Sequence, residues 1–447
     1  MIESLLIANR GEIARRIIRT ARRLGVRTVA VYSEADAGLP FVVEADEAVP
    51  VGPANAAQSY RNQDAILGAA KATGVDAIHP GYGFLSENAE FARAVRSTGL
   101  IWVGPDPAAI DAMGDKINAR NLMSRAGVPV APGTADPVGD VEAAVEAAAG
   151  IGYPVMIKAA AGGGGMGMAA VADEPALRTE YEKVRAFAER MFGDASVLLE
   201  RYFPSVRHIE VQILGLADGR VVALGERDCS VQRRNQKVVE ESPSPATALT
   251  AERRAALLAA GARAGEAVGY RNAGTVECLF DPSTGDFFFL EMNTRLQVEH
   301  PVTEAVLGLD LVEEQLRVAS GLPPTFEALP PPRGHAIELR INAEDPKRFL
   351  PGPGAITTWV QPEGDGVRVD AGYGPGTTVT PHYDSLMAKL IVHGADRAEA
   401  LERARAAVAS FEIAGPKSNL PFLAEVLEHP EFVSGDYDTG IVARMRA

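Results

Sequence analysis

The run from Phe287 to Pro301 constrains the fold of this chain more than any other stretch. Its first residues, Phe-Phe-Phe-Leu, are hydrophobic enough for a buried strand. Beyond them polar and apolar residues alternate, with Thr294 as the exception. Because alternate residues of an extended strand point to opposite faces, the pattern predicts one face packed in a core and one polar face. The polar face would carry Glu291, Asn293, Arg295, Gln297 and Glu299.

A solvent-exposed edge strand could show the same alternation by chance. Such strands favour Lys, Thr and Ser, whereas this run combines acids, amides and a guanidinium beside three phenylalanines. That composition favours a functional site. Residues 302–307 have a helical pattern, so the run is expected to end at Pro301, where a helix follows.

A second carboxylate is predicted to lie beside the first of this polar series. Residues 275–280 read as an apolar strand with a single acid, Glu277, and residues 281–286 have the composition of a hairpin turn. Folding the hairpin there brings Glu277 roughly opposite Glu291. Two carboxylates in an apolar setting repel each other unless a cation lies between them. Oxygen ligands, with Asn293 nearby, suit Mg²⁺ or Mn²⁺, which also bind phosphate oxygens.

A glycine-rich run upstream has the composition of a phosphate cradle. It follows an apolar strand that ends at Lys158, and its glycines are Gly162, Gly163, Gly164, Gly165 and Gly167. Consecutive glycines let backbone N–H groups wrap an anion, and the lysine adds positive charge. The run is not a Walker A loop, because no Gly-Lys-Ser or Gly-Lys-Thr follows it. A flexible linker is the alternative, but the flanking strands favour a mobile flap over phosphates. Glu200 ends another apolar strand, where a nucleotide base could be held.

The N-terminal part of the chain alternates strands with helices, which predicts a doubly wound parallel sheet. The loop after the first strand has no G-x-G-x-x-G motif, so a dinucleotide site is not indicated. The segment from His79 to Asn88 leaves the carboxyl end of a strand, where ligand clefts form in such sheets. Tyr82 lies there between two glycines, a position that suits a cleft wall better than a core.

Composition shifts and Pro/Gly-rich segments predict a multidomain protein of the α/β and α+β classes. Its predicted parts are an α/β domain (1–114), a linker helix (115–130), a lid domain (131–203), a core domain (204–330) and a β-rich C-terminal domain (331–447). A strand near the start of the last part carries Arg340.

Charge and composition exclude several classes of function. The net charge of −15 argues against a nucleic-acid surface. No run approaches the ~20 apolar residues of a membrane span, and the N-terminus lacks the pattern of a signal peptide. Cys229 and Cys278, the two cysteines, lie in strand-like runs and are expected to be reduced core thiols. These features predict a cytoplasmic protein that binds neither nucleic acid nor membrane.

Two other features have ordinary structural explanations. The charged segment from Arg227 to Glu241 could equally be a solvated face. A single histidine such as His208 is more often a satisfied surface or core residue than a ligand.

Five segments together resemble the biotin carboxylases, a family with the ATP-grasp architecture. They are Ile7 to Ala14, His79 to Asn88, Glu226 to Arg234, Glu291 to Pro301 and Arg340 to Pro346. The segments occur in the family's order and span nearly the whole chain, so chance agreement is negligible. The resemblance implies an ATP-grasp fold with a glycine-rich lid and a C-terminal biotin carboxylase domain. It also implies ATP-dependent carboxylation of biotin by bicarbonate, through carboxyphosphate, as the first half-reaction of an acyl-CoA carboxylase.

The resemblance implies which residues bind the nucleotide and its metal. Those that would contact ATP are Lys116, Lys158, the flap glycines, Glu200, Arg201, Phe203, His208, Gln232 and Asn235. Those that would hold Mg²⁺ or Mn²⁺ are Glu277, Glu291 and Asn293.

The resemblance also assigns the residues that would act on bicarbonate and biotin. Those that would bind bicarbonate are Lys237, Arg295, Gln297 and Val298, with Glu299 as general base. Arg340 would stabilise the enolate of biotin, and Tyr82 would contact its ring system. This agrees with elementary chemistry, because bicarbonate is a weak nucleophile and a carboxylate must take its proton as it attacks the γ-phosphate.

Four positions depart from the pattern that is common in the family. Met166 and Ala169 stand where members often carry Lys or Arg, and their loss of charge is expected to weaken the grip on phosphates. Asn235 stands where many members have His, and Arg201 replaces a frequent Lys near the adenine. None of these departures alters the proposed Glu, Arg and Lys core, so activity is expected to survive.

The 447 residues contain no biotin-accepting Ala-Met-Lys-Met, since Met387 to Leu390 has the wrong spacing. A separate biotin carboxyl carrier protein or domain and a carboxyltransferase subunit are therefore expected as partners, and family habit suggests a homodimer. Two alternatives stay open: another ATP-grasp ligase that joins a carboxylate to an amine, and a nucleotide-binding regulatory subunit without catalysis. Bicarbonate-dependent ADP release distinguishes the three.

Overall fold

The computed structural model describes residues 1–160 and 167–446. The N-terminal elements are β1 (Ser4–Ile7), α1 (Gly11–Arg23), β2 (Arg27–Ser33), α2 (Pro40–Glu44), β3 (Glu47–Gly52), α3 (Gln63–Thr73), β4 (Ala77–His79), α4 (Ala89–Ser97), β5 (Ile101–Trp102) and α5 (Pro107–Gly114).

The five N-terminal strands form a parallel sheet in the order β3-β2-β1-β4-β5, which confirms the predicted doubly wound sheet. Every residue of the central strand β1 is buried. Leu5 and Ile7 join the hydrophobic cluster on one side of the sheet, and Leu6 joins the cluster on the other. This division follows from the two-residue period of a strand whose two faces are both covered.

The middle of the chain forms a small layered unit beside a linking helix. Its elements are α6 (Lys116–Arg125), α7 (Val141–Ile151), β6 (Val155–Ala159), β7 (Met168–Val171), α8 (Glu174–Phe192) and β8 (Val197–Arg201). The three strands form an antiparallel sheet in the order β7-β6-β8, against which α7 and α8 pack. Of the flap residues, Gly162 to Gly165 and Met166 lie outside the described residues. Gly167 has a φ of +67°, and a Cβ there would lie 3.0 Å from the Cβ of Ala159, so glycine suits the position on both counts.

The remaining elements share one large sheet with its covering helices. They are β9 (Arg207–Gly215), β10 (Val221–Arg233), β11 (Gln236–Ser242), α9 (Ala251–Ala267), β12 (Asn272–Phe280), β13 (Phe287–Asn293), α10 (His300–Leu307), α11 (Leu311–Ala319), β14 (His335–Asn342), β15 (Gly354–Ala355), β16 (Thr358–Val360), β17 (Val367–Ala371), β18 (Thr378–Val379), β19 (Leu386–Gly394), α12 (Arg397–Ser410), β20 (Glu412–Ala414), α13 (Leu420–Glu428), α14 (Pro430–Ser434) and α15 (Ile441–Arg444).

Eight of these strands form a continuous antiparallel sheet in the order β13-β12-β9-β10-β11-β14-β19-β17. The predicted boundary at residue 330 falls in the loop between α11 and β14. The sheet itself crosses that boundary, because β14 pairs with β11 along Val239 to Ser242. Side chains from both sides of the boundary can therefore meet on one face. The five-part division of the chain stays a prediction.

Neither cysteine forms a disulfide, and both are buried. Among the described helices none has the length and apolar character needed to cross a membrane.

Substitution of Leu339 tests whether the two halves of the large sheet share one core. Its side chain is fully buried in β14, between Val239 of β11 and Leu390 of β19. Leu339→Ala is expected to lower the free energy of unfolding by about 2–5 kcal/mol, because it leaves a cavity in the core. Val360→Ala, in the short strand β16, changes a residue that is 49% exposed and should cost no more than about 0.5 kcal/mol. Guanidinium-induced unfolding measures both, and equal losses would contradict a continuous core at β14.

Candidate active site

The hairpin of β12 and β13 places two carboxylates side by side. The register pairs Glu277 directly with Glu291, as the sequence predicts. Loss of water around the carboxyl group raises the pKa of Glu291, although the residue as a whole is exposed, and repulsion from Glu277 raises it further, whereas Lys116 lowers it. The pair therefore favours a cation between or beside its carboxylates.

The prediction of one extended face from Glu291 to Glu299 is wrong. Strand β13 ends at Asn293, and the chain then turns into α10, where Pro301 occupies the first turn. Burial does not alternate either, because Asn293, Gln297 and Glu299 are all buried while Glu291 is exposed. A bulge in the hairpin interrupts the alternation, and the chain leaves the sheet after Asn293 and turns into α10, whose first turn accommodates a proline.

Lys237 brings three carboxylates to one point. Its Nζ donates hydrogen bonds to Glu210 Oε2 at 2.5 Å, Glu277 Oε1 at 2.7 Å and Glu299 Oε1 at 2.6 Å. Burial alone would lower the pKa of Lys237, but the three carboxylates raise it well above its ordinary value. The ammonium consequently stays charged and offsets the repulsion among the acids. Sequence reasoning singled out all of these residues except Glu210.

Glu299 lies between two cations. Its Oε1 accepts from Lys237, and its Oε2 accepts from Arg340 Nη2 at 3.0 Å. Burial would raise the pKa of Glu299, but Lys237, Arg340 and the buried Arg227 hold it well below its ordinary value. Glu299 is therefore ionised and directed toward the groups that would meet an anionic substrate. Arg340 also donates from Nε to Glu240 Oε1 at 2.6 Å.

Arg295 lies in a separate part of the same site, without a hydrogen bond to Glu299 among the described contacts. Its guanidinium donates to Gln297 Oε1 at 2.5 Å and to Asn293 Oδ1 at 2.7 Å. It also donates from Nε to Glu87 Oε2 at 2.9 Å. Sequence reasoning missed Glu87 as a partner, although it belongs to the segment that carries Tyr82.

The predicted metal ligands have the donor set that Mg²⁺ or Mn²⁺ prefers. Glu277 and Glu291 supply opposed carboxylates, and Asn293 supplies an amide oxygen, Oδ1, which accepts from Arg295 at 2.7 Å. Glu277 Oε2 also lies 3.2 Å from His208 Nε2, and His208, Glu210 and Glu277 offer ligand atoms within 4.8 Å of one another. The residues present fit a divalent cation. Which of them coordinate it stays a prediction.

The predicted nucleotide contacts lie along the small sheet and its junction with the large one. Lys158 forms a short ion pair with Glu200, and Arg201 Nη1 donates to the carbonyl of Gly152 at 2.8 Å. Phe203 stacks on Phe288 with the ring centroids 4.9 Å apart. A phosphate at Lys158 would therefore compete with Glu200.

The other predicted nucleotide contacts lie farther apart. Lys116 begins α6, and burial lowers its pKa while Glu291 raises it. Gln232 lies near the end of β10, and Asn235 lies in the exposed turn between β10 and β11. Asn235 has a φ of +65°, a conformation that Asn adopts more readily than most residues, so the backbone supplies a structural reason for this residue.

Tyr82 and Val298 are connected through two residues that sequence reasoning missed. The Tyr82 hydroxyl donates a short hydrogen bond to Glu12, and Glu12 Oε1 lies 3.2 Å from Lys389 Nζ. Lys389 in turn donates to the carbonyl of Val298 at 2.8 Å. Lys389 is fully buried in β19, which agrees with the interpretation that Met387 to Leu390 is a strand and not a biotin acceptor.

Comparison with known proteins identifies the pattern over the whole chain. Residues 1–110 match the family model described as "Biotin carboxylase, N-terminal domain", residues 115–325 match "Carbamoyl-phosphate synthase L chain, ATP binding domain", and residues 338–444 match "Biotin carboxylase C-terminal domain". Biotin carboxylase 2 of Bacillus subtilis is 50% identical over 440 residues, which cover 98% of each chain.

Two solved structures have the same fold. The biotin carboxylase–β,γ-ATP complex of Campylobacter jejuni aligns with a TM-score of 0.95 at 44% identity and covers 99% of both chains. The biotin carboxylase domain dimer of Hydrogenobacter thermophilus 2-oxoglutarate carboxylase, in complex with MgADP, ADP and bicarbonate, aligns with a TM-score of 0.93 at 43% identity. It covers 99% of this chain and 98% of that one. The N-terminal parallel sheet, the small three-stranded unit and the large antiparallel sheet with its helices thus belong to the ATP-grasp architecture.

Lys237→Met tests the role of the shared ammonium in stability. The variant leaves three buried carboxylates without their common cation, so the free energy of unfolding should fall by about 3–5 kcal/mol at neutral pH. Without Lys237 the carboxylates would take up protons more readily in the folded state, so the loss should shrink as the pH is lowered.

Lys183→Met provides the matched control, since Lys183 is 63% exposed and pairs with Glu180 at the surface. This variant should change stability by less than about 1 kcal/mol at any pH. Thermal unfolding over a pH series measures both proteins. A loss in Lys237→Met that is small, or that does not depend on pH, would contradict the arrangement.

Proposed function

We propose, since this chain belongs to the biotin carboxylase family, that the residues of this site catalyse the ATP-dependent carboxylation of biotin by bicarbonate. The observation that carries the proposal is Glu299, an ionised carboxylate that lies between Lys237 and Arg340 and close to the metal-binding acids. A base, two cations and a metal site are the groups that attack of bicarbonate on a phosphoryl group needs.

The first step forms carboxyphosphate. Bicarbonate binds beside Lys237, Arg295, Gln297 and the backbone of Val298, and Glu299 takes its proton as its oxygen attacks the γ-phosphorus of ATP. The P–O bond to ADP breaks as the new P–O bond forms. When an oxyanion takes over the hydrogen bonds of Lys237 and Arg340, Glu299 loses stabilisation of its charged form, and its affinity for a proton rises.

The metal site supports the same step. Glu277 and Glu291, with Asn293, would hold Mg²⁺ or Mn²⁺, which neutralises charge on the transferring phosphate when bound. Lys116, Lys158 and the flap glycines would hold the phosphates. Glu200, Arg201 and Phe203 would contact the base, and His208, Gln232 and Asn235 would border the remainder of the nucleotide.

The second step transfers the carboxyl group. Carboxyphosphate breaks its C–O bond to give CO₂ and phosphate, and the phosphate takes the proton of the biotin ureido nitrogen. Arg340 stabilises the negative charge that this leaves on the ureido oxygen, and Tyr82 contacts the ring system. The nitrogen then bonds to CO₂, so the products are ADP, phosphate and carboxybiotin.

The partners follow from this chemistry. Biotin would arrive on a carrier protein or domain outside these 447 residues, and a carboxyltransferase would pass the carboxyl group to an acyl-CoA. A homodimer is supported by the dimer of the Hydrogenobacter thermophilus domain. A cytoplasmic location is supported by the use of ATP and by the reduced state of Cys229 and Cys278.

ADP release tests the proposed function. With MgATP and bicarbonate, the wild type should release ADP at a rate that biotin or a biotinylated carrier increases. Glu299→Gln removes the base and should lower that rate by about 10²–10⁴-fold. Glu428→Gln is the matched control, because Glu428 is 68% exposed and far from the site in sequence and packing.

Each alternative predicts a different result. ADP release that depends on an amine and a second carboxylate, and not on bicarbonate, would indicate another ATP-grasp ligase. Nucleotide binding without turnover, even with a biotinylated carrier, would indicate a regulatory subunit. Full biotin-stimulated activity of Glu299→Gln would place the base elsewhere.

Glu291→Gln tests the metal ligands. Loss of one carboxylate should raise the Mg²⁺ concentration needed for half-maximal rate by about 10-fold or more, since even changes behind a metal ligand cost about 10–100-fold in affinity. Rates measured against free Mg²⁺ at saturating ATP report this shift. Glu252→Gln, at the exposed start of α9, is the control, and an equal shift in both variants would contradict the assignment.

A further inference from the structure

Two glutamates lie behind Arg340 in the large sheet. Glu240 of β11 and Glu338 of β14 are direct register partners on neighbouring strands. Both are fully buried, with 0% of either side chain exposed. Side chains at directly opposed positions of an antiparallel pair have Cβ atoms about 4.5–5.5 Å apart, so the two side chains are neighbours on one face of the sheet.

The hydrogen bonds of this pair are incomplete for two carboxylates. Glu240 Oε1 accepts from Arg340 Nε at 2.6 Å. Glu240 Oε2 and both oxygens of Glu338 have no hydrogen-bond partner in the described part of the chain. Three unpartnered, buried oxygens on two charged acids would be strongly destabilising. A proton between the two carboxyl groups reduces that cost, because it removes one of the two charges and lets one group donate to the other, so that a single Glu338 oxygen stays without a partner.

The cations around the pair already have other partners. Glu338 faces Lys389 of β19, and Lys389 contacts Glu12 and donates to the Val298 carbonyl. Glu240 faces Lys237 of its own strand, whose three hydrogen bonds go to other acids.

The remaining neighbours of the Glu240–Glu338 pair are negatively charged, neutral or already paired with other residues. Both acids of the pair face Glu299. Glu240 also faces the neutral thiol of Cys229 on β10. Helix α10, which packs on β11 and β14, brings His300, and burial and the nearby cations hold its pKa well below the ordinary value. Glu304 of the same helix forms ion pairs with Arg16 and Arg368.

Burial and the neighbouring acids work in the same direction on both groups. Burial raises the pKa of Glu338 well above its ordinary value, and repulsion from Glu240 and Glu299 adds to the shift, while Lys389 and Arg340 oppose it without cancelling it. Burial raises the pKa of Glu240 to about 7, with Arg340 opposing the shift and Glu299 adding to it.

We infer that Glu240 and Glu338 share one proton at neutral pH, with Glu338 as the protonated partner that donates to Glu240 and so orients it toward Arg340. Glu338 is then a positioning residue, since it touches no substrate and acts through Glu240. Arg340 donates hydrogen bonds from Nε to Glu240 and from Nη2 to Glu299. Both hydrogen bonds are needed to fix the orientation of the planar guanidinium toward biotin. This inference rests on the proposed role of Arg340 in biotin binding.

The shared proton also has a consequence for pH dependence. When the pair loses the proton at alkaline pH, two negative charges lie behind Arg340 and draw it away from the biotin side. The kcat/KM for biotin should therefore decline at alkaline pH, while the KM for MgATP should not follow it. Because the folded state keeps a proton that the unfolded chain releases above its ordinary pKa, the pair should also make stability fall as the pH rises above about 4.5.

Two variants of Glu338 separate protonation from simple packing. Glu338→Ala removes the donor to Glu240 and should lower kcat/KM for biotin by about 10-fold, which corresponds to one lost hydrogen bond to a charged group. Glu338→Gln supplies an amide N–H where the protonated acid supplies O–H, and it cannot ionise. It should recover most of that loss and shift or abolish the alkaline decline.

Other outcomes would overturn the inference. Equal impairment of the Gln and Ala variants would mean that the charge of Glu338, not its proton, is required. A wild-type pH profile in Glu338→Ala would mean that Glu338 does not position Glu240.

Infrared spectra of the wild type with ¹³C-labelled glutamate test the proton directly, even if a variant fails to fold. The band of a buried protonated carboxyl should persist at neutral pH, and its absence would refute the pair. The same spectra remain informative if biotin-stimulated turnover is not found, so failure of the proposed function and failure of this inference are distinguishable.

Discussion

The site depends on the ammonium of Lys237, which is shared by Glu210, Glu277 and Glu299. These acids come from β9, from β12 and from the turn that enters α10. Brought together without a cation they would repel one another strongly in a region of low dielectric. With Lys237 in place, Glu299, the proposed base, and Glu277, a proposed metal ligand, accept hydrogen bonds from the same nitrogen atom.

A second layer of buried charge fixes this arrangement. Arg227 is fully buried and donates to Glu210 Oε1 at 2.5 Å, to Gln212 and to two threonines. Glu210 therefore accepts hydrogen bonds from both Arg227 and Lys237. It keeps its position when a bound substrate takes over hydrogen bonds of the lysine. Fixed charges and dipoles of this kind need no reorganisation during reaction, and this preorganisation is the main source of electrostatic catalysis. Arg340, the residue proposed to meet biotin, has the corresponding position between Glu299 and Glu240.

The sequence was sufficient for those features that are local or that carry a dense motif. The turn from Asp281 to Asp286 predicted the hairpin, and with it that Glu277 lies roughly opposite Glu291. The direct pairing of the two also depends on a bulge between Glu277 and Cys278, which turn composition does not show. Alternation beyond Asn293 was misleading, because the strand ends there and the chain turns into α10. The polar residues still gather, but through a turn and not along one strand face. The roles of individual residues came from resemblance to a family and not from spacing.

Partners that lie far apart in sequence could not be read from any local pattern. Glu87 meets Arg295, Glu12 meets Lys389, and Glu240 meets Glu338 only because strands from distant parts of the chain become neighbours. The continuity of the large sheet past residue 330 was hidden for the same reason, since a Pro-rich loop marks a boundary in sequence and not in hydrogen bonding. The one available signal was a charged residue inside an apolar strand, as at Glu338 and Lys389.

Oxygen-isotope transfer tests most directly whether bicarbonate itself attacks ATP beside Glu299. If a bicarbonate oxygen bonds to the γ-phosphorus and the C–O bond of carboxyphosphate later breaks, the phosphate keeps that oxygen. Turnover of MgATP with ¹⁸O-labelled bicarbonate and biotin should therefore give inorganic phosphate with one labelled oxygen for each carboxybiotin formed. Phosphate without label, formed at the same rate as carboxybiotin, would show that water attacks ATP, and it would contradict the account of the site.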